Sequence, residues 1–367
     1  MKLHPRDRSG LAATGAATFL GLALMVSGSS VAPADGPALS ARTRALELSE
    51  MTQELLVATL EHELGPHAEP QVPESWQALF VDDLVGTDPD QAQLAEELGQ
   101  LSLAERLATG RRSYAENCQH CHGVRGDAET QTAKILLPRP RDFSLGFTKF
   151  KSTPGNAAPL RADLHRVLEQ GVASTAMASF AQLDELERVQ LTDYVQYLLM
   201  RGALETRVGS ALAALPSDEN AASTEVEFRI LQASQVASDA VAADWRNASN
   251  LVLQTAPELE TAEAIARGES LYSSARAGCS LCHGTDGKGR GLGAWDPEYG
   301  WLLRDVWGNP VRPADFSYGS FHGGASPEEV YRSIALGVAG TPMAGYQNTL
   351  APDEISDLTH YLRSLSR

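Results

Sequence analysis

Apolar residues recur at helical spacing along most of the chain, and every element they predict is a helix. Leu48, Met51, Leu55 and Ala58 fall on one helical face, which predicts a helix over residues 38–64 stopped by Gly65-Pro66. Pro70 and Pro73 mark a loop, and residues 75–99 read as short helical pieces with Trp76, Leu79, Phe80 and Leu84 turned inward. Ser102 and Glu105 form a capping box that starts a helix running to about Glu116 and delivering Cys118. A loop follows at Arg139–Phe143, then a helix over Leu160–Gln170 ended by Gly171. A second capping box, Asp184 with Glu187, opens a helix over Asp184–Met200. Beyond it the one strong turn cluster is Leu215-Pro216-Ser217-Asp218, and residues 224–254 predict one or two helices with Phe228, Leu231, Val236, Val241 and Trp245 facing inward. The fold class expected is all-α.

A length of 367 residues suggests two or three domains. The N-terminus has the form of an export signal. Lys2, Arg6 and Arg8 precede an uncharged run over Leu11–Val26, and Ala32-Pro33-Ala34 offers a small-residue cleavage site. The run is shorter than the roughly 20 residues of a spanning helix, so cleavage is favoured over a membrane anchor at residues 11–27. The expected organisation is a signal peptide (1–34), an acidic helical extension (35–100), a first motif-bearing domain (101–201), a helical connector (202–260) and a second motif-bearing domain (261–367).

The formal charge of -17 is unevenly spread, with -12 in residues 35–100 alone and +2 in residues 101–201. Acidity outside the motif-bearing segments argues against nucleic acid, which needs basic patches. It permits steering toward a basic partner, although a merely solvated acidic surface accounts for it equally well.

All four cysteines lie in two copies of one pattern: Cys118-Gln119-His120-Cys121-His122 and Cys279-Ser280-Leu281-Cys282-His283. Cysteines at i and i+3 share one face of a helical turn, with the histidine at i+4 on the same face. Two thiols there can add across the two vinyl groups of one porphyrin while the imidazole reaches its iron; C-x-x-C-H is the attachment pattern of a c-type haem. The competing reading is a four-thiolate zinc ribbon, which separates its pairs by roughly 15–20 residues. Here 157 residues lie between Cys121 and Cys279. No strand–helix–strand pattern surrounds either copy, which disfavours a thioredoxin-like motif.

The two motif-bearing segments repeat one another. Gly110 and Tyr114 precede the first motif as Gly268 and Tyr272 precede the second; Arg139-Pro-Arg-Asp-Phe143 matches Arg312-Pro-Ala-Asp-Phe316; Gly171-Val-Ala-Ser-Thr-Ala-Met177 matches Gly337-Val-Ala-Gly-Thr-Pro-Met343. Asp193 and Tyr197 are read as the counterparts of Asp357 and Tyr361. His122 precedes Asp142 by 20 residues and His283 precedes Asp315 by 32, so the second copy carries 12 extra residues, placed around Trp295–Trp307 as a loop over one haem edge. Met177 and Met343 occupy one repeat position in small-residue loops and are the candidate sixth ligands, since methionine is a usual partner of histidine in cytochromes c and raises the potential. A lone methionine more often fills a gap in a core, but Met177 and Met343 are two of only four methionines after residue 34. His120, His165 and His322 are not expected as ligands; His62, His67 and His360 read as surface groups; Arg139, Arg141 and Arg312 are candidates for pairing with haem propionates.

With these motifs each half resembles a class I cytochrome c domain, and the pair is similar to a dihaem cytochrome c. The resemblance covers residues 102–201 and 261–367. It implies two covalent haem c groups, thioether links at Cys118, Cys121, Cys279 and Cys282, proximal His122 and His283, and distal Met177 and Met343. It also implies that Gly110 and Tyr114 pack on the Tyr197 helix, and Gly268 and Tyr272 on the Tyr361 helix. The expected function is periplasmic or otherwise exported electron transfer between redox proteins, with no catalytic residue and no small-molecule substrate. Two alternatives stand beside it: an enzyme of the dihaem cytochrome c peroxidase type, and an electron-transfer subunit of a membrane respiratory complex that docks through residues 35–100.

Overall fold

Serine caps start the first two helices and divide the first predicted helix in two. The computed structural model describes residues 39–80, 91–215, 222–253, 257–298, 300, 302–319 and 321–366. The export signal, Leu84 and most of the Leu215–Asp218 turn lie outside these. Ser40 accepts from Thr43 N at 3.3 Å and starts α1 (Ala41–Arg44); Ser49 accepts from Thr52 N at 3.2 Å and starts α2 (Glu50–Leu64). Between them Glu47 takes a φ of 55°. The buried stripe of α2 is Leu56, Thr59, Leu60 and Leu64, whereas Leu48, Met51 and Leu55 are only half-buried at its margin. Two short helices follow, α3 (Glu74–Gln77) and α4 (Ala92–Gly99).

The first motif-bearing segment contains α5 (Leu103–Asn117), opened by the predicted capping box, then α6 (Gln119–His122), α7 (Gln131–Ile135), α8 (Arg161–Gln170) and α9 (Glu185–Ala213). The connector adds α10 (Ser223–Ala248). The second segment holds α11 (Ala262–Tyr272), α12 (Cys279–His283), α13 (Pro327–Leu336) and α14 (Pro352–Ser364). No strand occurs among the described residues; two isolated bridges, Trp295 with Leu302 and Arg304 with Pro310, pin the inserted loop.

In each half the helix before the motif crosses the last helix at a glycine. A Cβ on Gly110 would overlap the carbonyl of Gln190, and one on Gly268 would overlap that of Asp357. Beside each crossing two tyrosine rings pack together: Tyr114 and Tyr194 edge-on at 5.2 Å, Tyr272 and Tyr361 tilted at 5.3 Å. The crossing therefore pairs Gln190 and Tyr194 with Asp357 and Tyr361, one turn from the Asp193 and Tyr197 correspondence expected from the letters. Tyr197 instead turns its hydroxyl to the carbonyl of Leu64 at 2.9 Å, where it caps α2.

Helix α9 runs 13 residues past its expected end at Met200. Gly202 does not stop it; the glycine lets the Phe143–Ser144 backbone pass close to the helix, where a Cβ would collide. On α10 the buried stripe is Val226, Ile230, Ser234, Ala237, Val241 and Trp245, while Phe228, Leu231 and Val236 are 59%, 49% and 67% exposed. The predicted inward set mixed two faces, because α10 lays only one narrow stripe against α9 and α2.

One hydrophobic core joins the extension, the first motif-bearing segment and the connector: Leu56, Leu60, Leu64, Trp76 and Phe80 pack with Tyr197, Leu204, Val208, Ile230 and Val241. Trp76, wholly buried, donates from Nε1 to the Ser238 carbonyl at 3.3 Å. The extension is thus part of this core. The second segment has its own core around Tyr272, Val330, Ile334, Leu358 and Tyr361. His360, expected at the surface, is 2% exposed on α14 and donates from Nε2 to the Glu258 carbonyl at 2.8 Å. No helix among the described residues is long and apolar enough to cross a membrane.

Candidate functional site

Each Cys-His motif is a single helical turn presented by the helix before it. The Cys118 carbonyl accepts from His122 N at 2.9 Å, closing the turn that sets Cys118, Cys121 and His122 on one side. The turn is anchored from behind: Tyr114 donates its hydroxyl to the Gly123 carbonyl at 2.7 Å, and Tyr272 does the same to Gly284 at 2.7 Å. The two histidines are oriented alike. His122 Nδ1 donates to the Arg141 carbonyl at 3.0 Å, and His283 Nδ1 to the Ala314 carbonyl at 3.2 Å. Phe143 stacks on His122 at 5.1 Å and Phe316 on His283 at 4.6 Å. With Nδ1 committed to a carbonyl, the tautomer is fixed and Nε2 carries the free lone pair, as in metal-ligating histidines generally. Burial pushes the His122 imidazole down to about 4 and lowers that of His283, so both rings are neutral at ordinary pH.

Burial also favours the neutral form of three of the thiols. Burial pushes Cys118 up to about 12 and Cys279 up to about 11, and raises Cys121. Among the described residues no three His, Cys, Asp or Glu side chains converge to hold a metal ion, so the two cysteine pairs do not form the zinc ribbon weighed above.

The methionine loops are built from identical bonds. Val172 N donates to the Met177 carbonyl and Val338 N to that of Met343, each at 3.0 Å. Thr175 and Thr341 accept from the amides of Met177 and Met343 at 3.0 and 3.2 Å, and each hydroxyl donates back to a valine carbonyl. Both loops, and all eight residues singled out from the sequence (Cys118, Cys121, His122, Met177, Cys279, Cys282, His283 and Met343), line one continuous cavity of about 970 Å³. That is at the upper end of the roughly 300–1,000 Å³ usual for ligand pockets.

Of the remaining candidates, Arg139, Arg141, Arg312 and His322 also line the cavity, and His165 does not. His165 pairs with Glu185 at 3.0 Å, and His322 Nδ1 donates to the Ala173 carbonyl at 2.7 Å. Arg139 donates to the carbonyls of Ala133 and Ala128, and Arg312 is exposed at the cavity mouth. Arg141 lies over Trp307, its guanidinium carbon 3.9 Å from the ring centroid, and 3.5 Å from Asp305. The inserted loop contributes Leu303 to the cavity wall, beside Pro310 and Val311 just after it. The sequence reading passed over the stacking role of Phe143 and Phe316, although the repeated Asp-Phe pair marked the position. It also passed over Asp305, which the repeat could not flag because it stands in the unmatched insertion.

Two family models match the chain. Residues 105–198 match cytochrome C oxidase, cbb3-type, subunit III, and residues 265–366 match cytochrome c. The chain carries two cytochrome c-type domains. Together the matches span just over half of it, and each encloses a Cys-His motif and its methionine loop. Among solved structures, a chain of the reducing HAO-like protein complex of Kuenenia stuttgartiensis is 26% identical, with a TM-score of 0.53 and coverage of 71% of this chain and 96% of that one. No curated protein sequence matches the chain.

Cytochrome c domains imply haem c as the group held in the cavity. The side chains fit it: the walls are largely apolar, a pair of cysteines shares one helical turn with each histidine, and each imidazole has its outer nitrogen already bonded to a carbonyl. The two cytochrome c domains are thus a haem electron-transfer unit whose cofactor-facing residues open on one space.

Proposed function

We propose that the chain is an exported dihaem c-type cytochrome that relays electrons between redox proteins. Cys118 and Cys121 would hold one haem by thioether links and Cys279 and Cys282 the other, and His122 with Met177 and His283 with Met343 would be the ligands of the two irons. The observation that carries this reading is the shared cavity, on which both Cys-His turns and both methionine loops open. Bound haem supplies a one-electron carrier; the protein decides how it is held. The Nδ1 bonds to Arg141 and Ala314 fix the plane of each imidazole, and the stacked Phe143 and Phe316 stop the rings from turning. Apolar walls exclude water and favour the less charged, reduced state. The matching construction of the two methionine loops supports closed sites at both irons, hence transfer without substrate chemistry, over the peroxidase-type alternative, which needs one open iron. The run over Leu11–Val26 supports export before haem attachment. The likeness to a chain of a reducing HAO-like complex, and to a subunit of an oxidase, supports work inside or beside a larger redox assembly.

The test is an optical spectrum of the reduced protein with and without carbon monoxide, with covalent haem counted by pyridine haemochrome. Two haems per chain and an unchanged spectrum are expected. A carbon monoxide shift at one haem would move the peroxidase-type reading to the front, and fewer than two covalent haems would overturn the dihaem reading.

A further inference from the structure

The repeat breaks in two places near the site, and the two breaks touch. The residue whose carbonyl takes the histidine bond is Arg141 in the first domain and Ala314 in the second, so only the first carries a side chain there that can reach outward. The other break is the 12-residue insertion, which belongs to the second domain alone. From that insertion Trp307 supplies its ring face to the Arg141 guanidinium at 3.9 Å, and Asp305 stands 3.5 Å from Arg141 and 3.0 Å from Lys149 Nζ. Asp305 is buried, and its Oδ1 accepts from the amides of Trp307 and Asn309 at 3.1 and 2.9 Å, which fixes the carboxylate in its own loop. Trp307 also packs on Phe147 of the first domain at 5.1 Å. On the opposite side of the first site, His322 of the second domain holds the Ala173 carbonyl, four residues before Met177. The second methionine loop, by contrast, is held by the second domain's own insertion, through Val306 N to the Gly340 carbonyl at 2.8 Å.

We propose that Asp305 and Trp307 are positioning residues for the first haem site: they hold Arg141, and through its carbonyl His122, so that the second domain sets the reduction potential of the first haem without setting its own by the same device. The proposal rests on the reading that each motif binds haem through its histidine. Its physical basis is charge balance in a poorly solvated place. Reduction removes one positive charge from an iron centre, so nearby positive charge favours it, and the effect grows where the local dielectric is low. Arg141 and Lys149 contribute two cations, and Asp305 offsets one of them.

The experiment is a spectroelectrochemical titration of the full-length holoprotein, in which a Met177→His variant identifies the step of the first haem. Asp305→Asn leaves both cations uncompensated and should shift that step upward. Arg141→Met leaves the backbone carbonyl in place, removes a cation and should shift it downward, with the second step unmoved in both. Trp307→Phe, which keeps a ring under the guanidinium, should stay close to wild type, while Trp307→Ala should not. A merely structural clasp would move the Asp305→Asn and Arg141→Met variants in one direction or disturb both steps; either result, or two unmoved steps, overturns the proposal. Lys149→Gln carries the same downward expectation as Arg141→Met and decides the matter should that variant not accumulate. Failure of the wild type to bind two haems would overturn the haem reading instead, and the haemochrome count separates the two failures.

Discussion

Every candidate ligand is held by a bond to the main chain, which is why substitutions around the ligands should act on the site without dissolving the fold. Tyr114→Phe and Tyr272→Phe each remove one buried hydroxyl bond to the glycine after a motif. Each should cost about 1 kcal/mol, read as a lower midpoint in denaturant unfolding. Gly110→Ala and Gly268→Ala should do more harm, because the added carbon meets backbone that cannot step aside. Overpacking of this kind typically costs about 1–3 kcal/mol, and the loss of thermal stability should be similar in the two domains because the crossings are alike. At this scale the sequence was informative wherever chemistry is written in the letters: two cysteines and a histidine on one turn, a methionine at one repeat position. It was misleading where letters coincide by chance. Asp193 and Tyr197 look like Asp357 and Tyr361, yet the glycine crossing selects Gln190 and Tyr194.

Among the elements, α2 and α9 depart most from what periodicity predicts, for one reason: their surroundings come from distant parts of the chain. Caps are local, so the starts of α5 and α9 were legible from Ser102–Glu105 and Asp184, although Asp184 accepts from Leu186 N instead of closing the box expected with Glu187. The burial of α2 depends on α9 and α10, more than a hundred residues away in sequence, and the choice of face could not be read from its own spacing. The same packing makes the extension indispensable to the first domain. Trp76→Ala empties a wholly buried site and removes the indole bond to the Ser238 carbonyl. A loss of about 3–5 kcal/mol is expected, visible as a lower melting temperature of the holoprotein. Phe228→Ser, on the exposed face of the neighbouring α10, should leave that temperature nearly unchanged, and a large drop there would contradict the assigned face.

For the whole molecule, a formal charge of -17 at neutral pH bears on encounter more than on folding. Electron transfer to a basic single-haem cytochrome should slow steeply as salt is raised from low ionic strength, because exposed charges farther apart than about 10 Å at 0.1 M are screened. Stopped-flow rates at a series of salt concentrations measure this, and an acidic acceptor should show the opposite slope. The pairing of Asp305 with Arg141 and Lys149 is buried and should be far less sensitive to the same salt series.

The meeting of Arg141 with the inserted loop also bears on the order of the two halves. With an arginine in one half and the loop that receives it in the other, the two are not interchangeable. A chain with its halves exchanged, or one built from two copies of the first half, would retain every haem-attachment letter and still lack the joint. In relatives that keep this architecture, an arginine at position 141 and an acidic–x–aromatic triplet at positions 305–307 should therefore be inherited together and lost together.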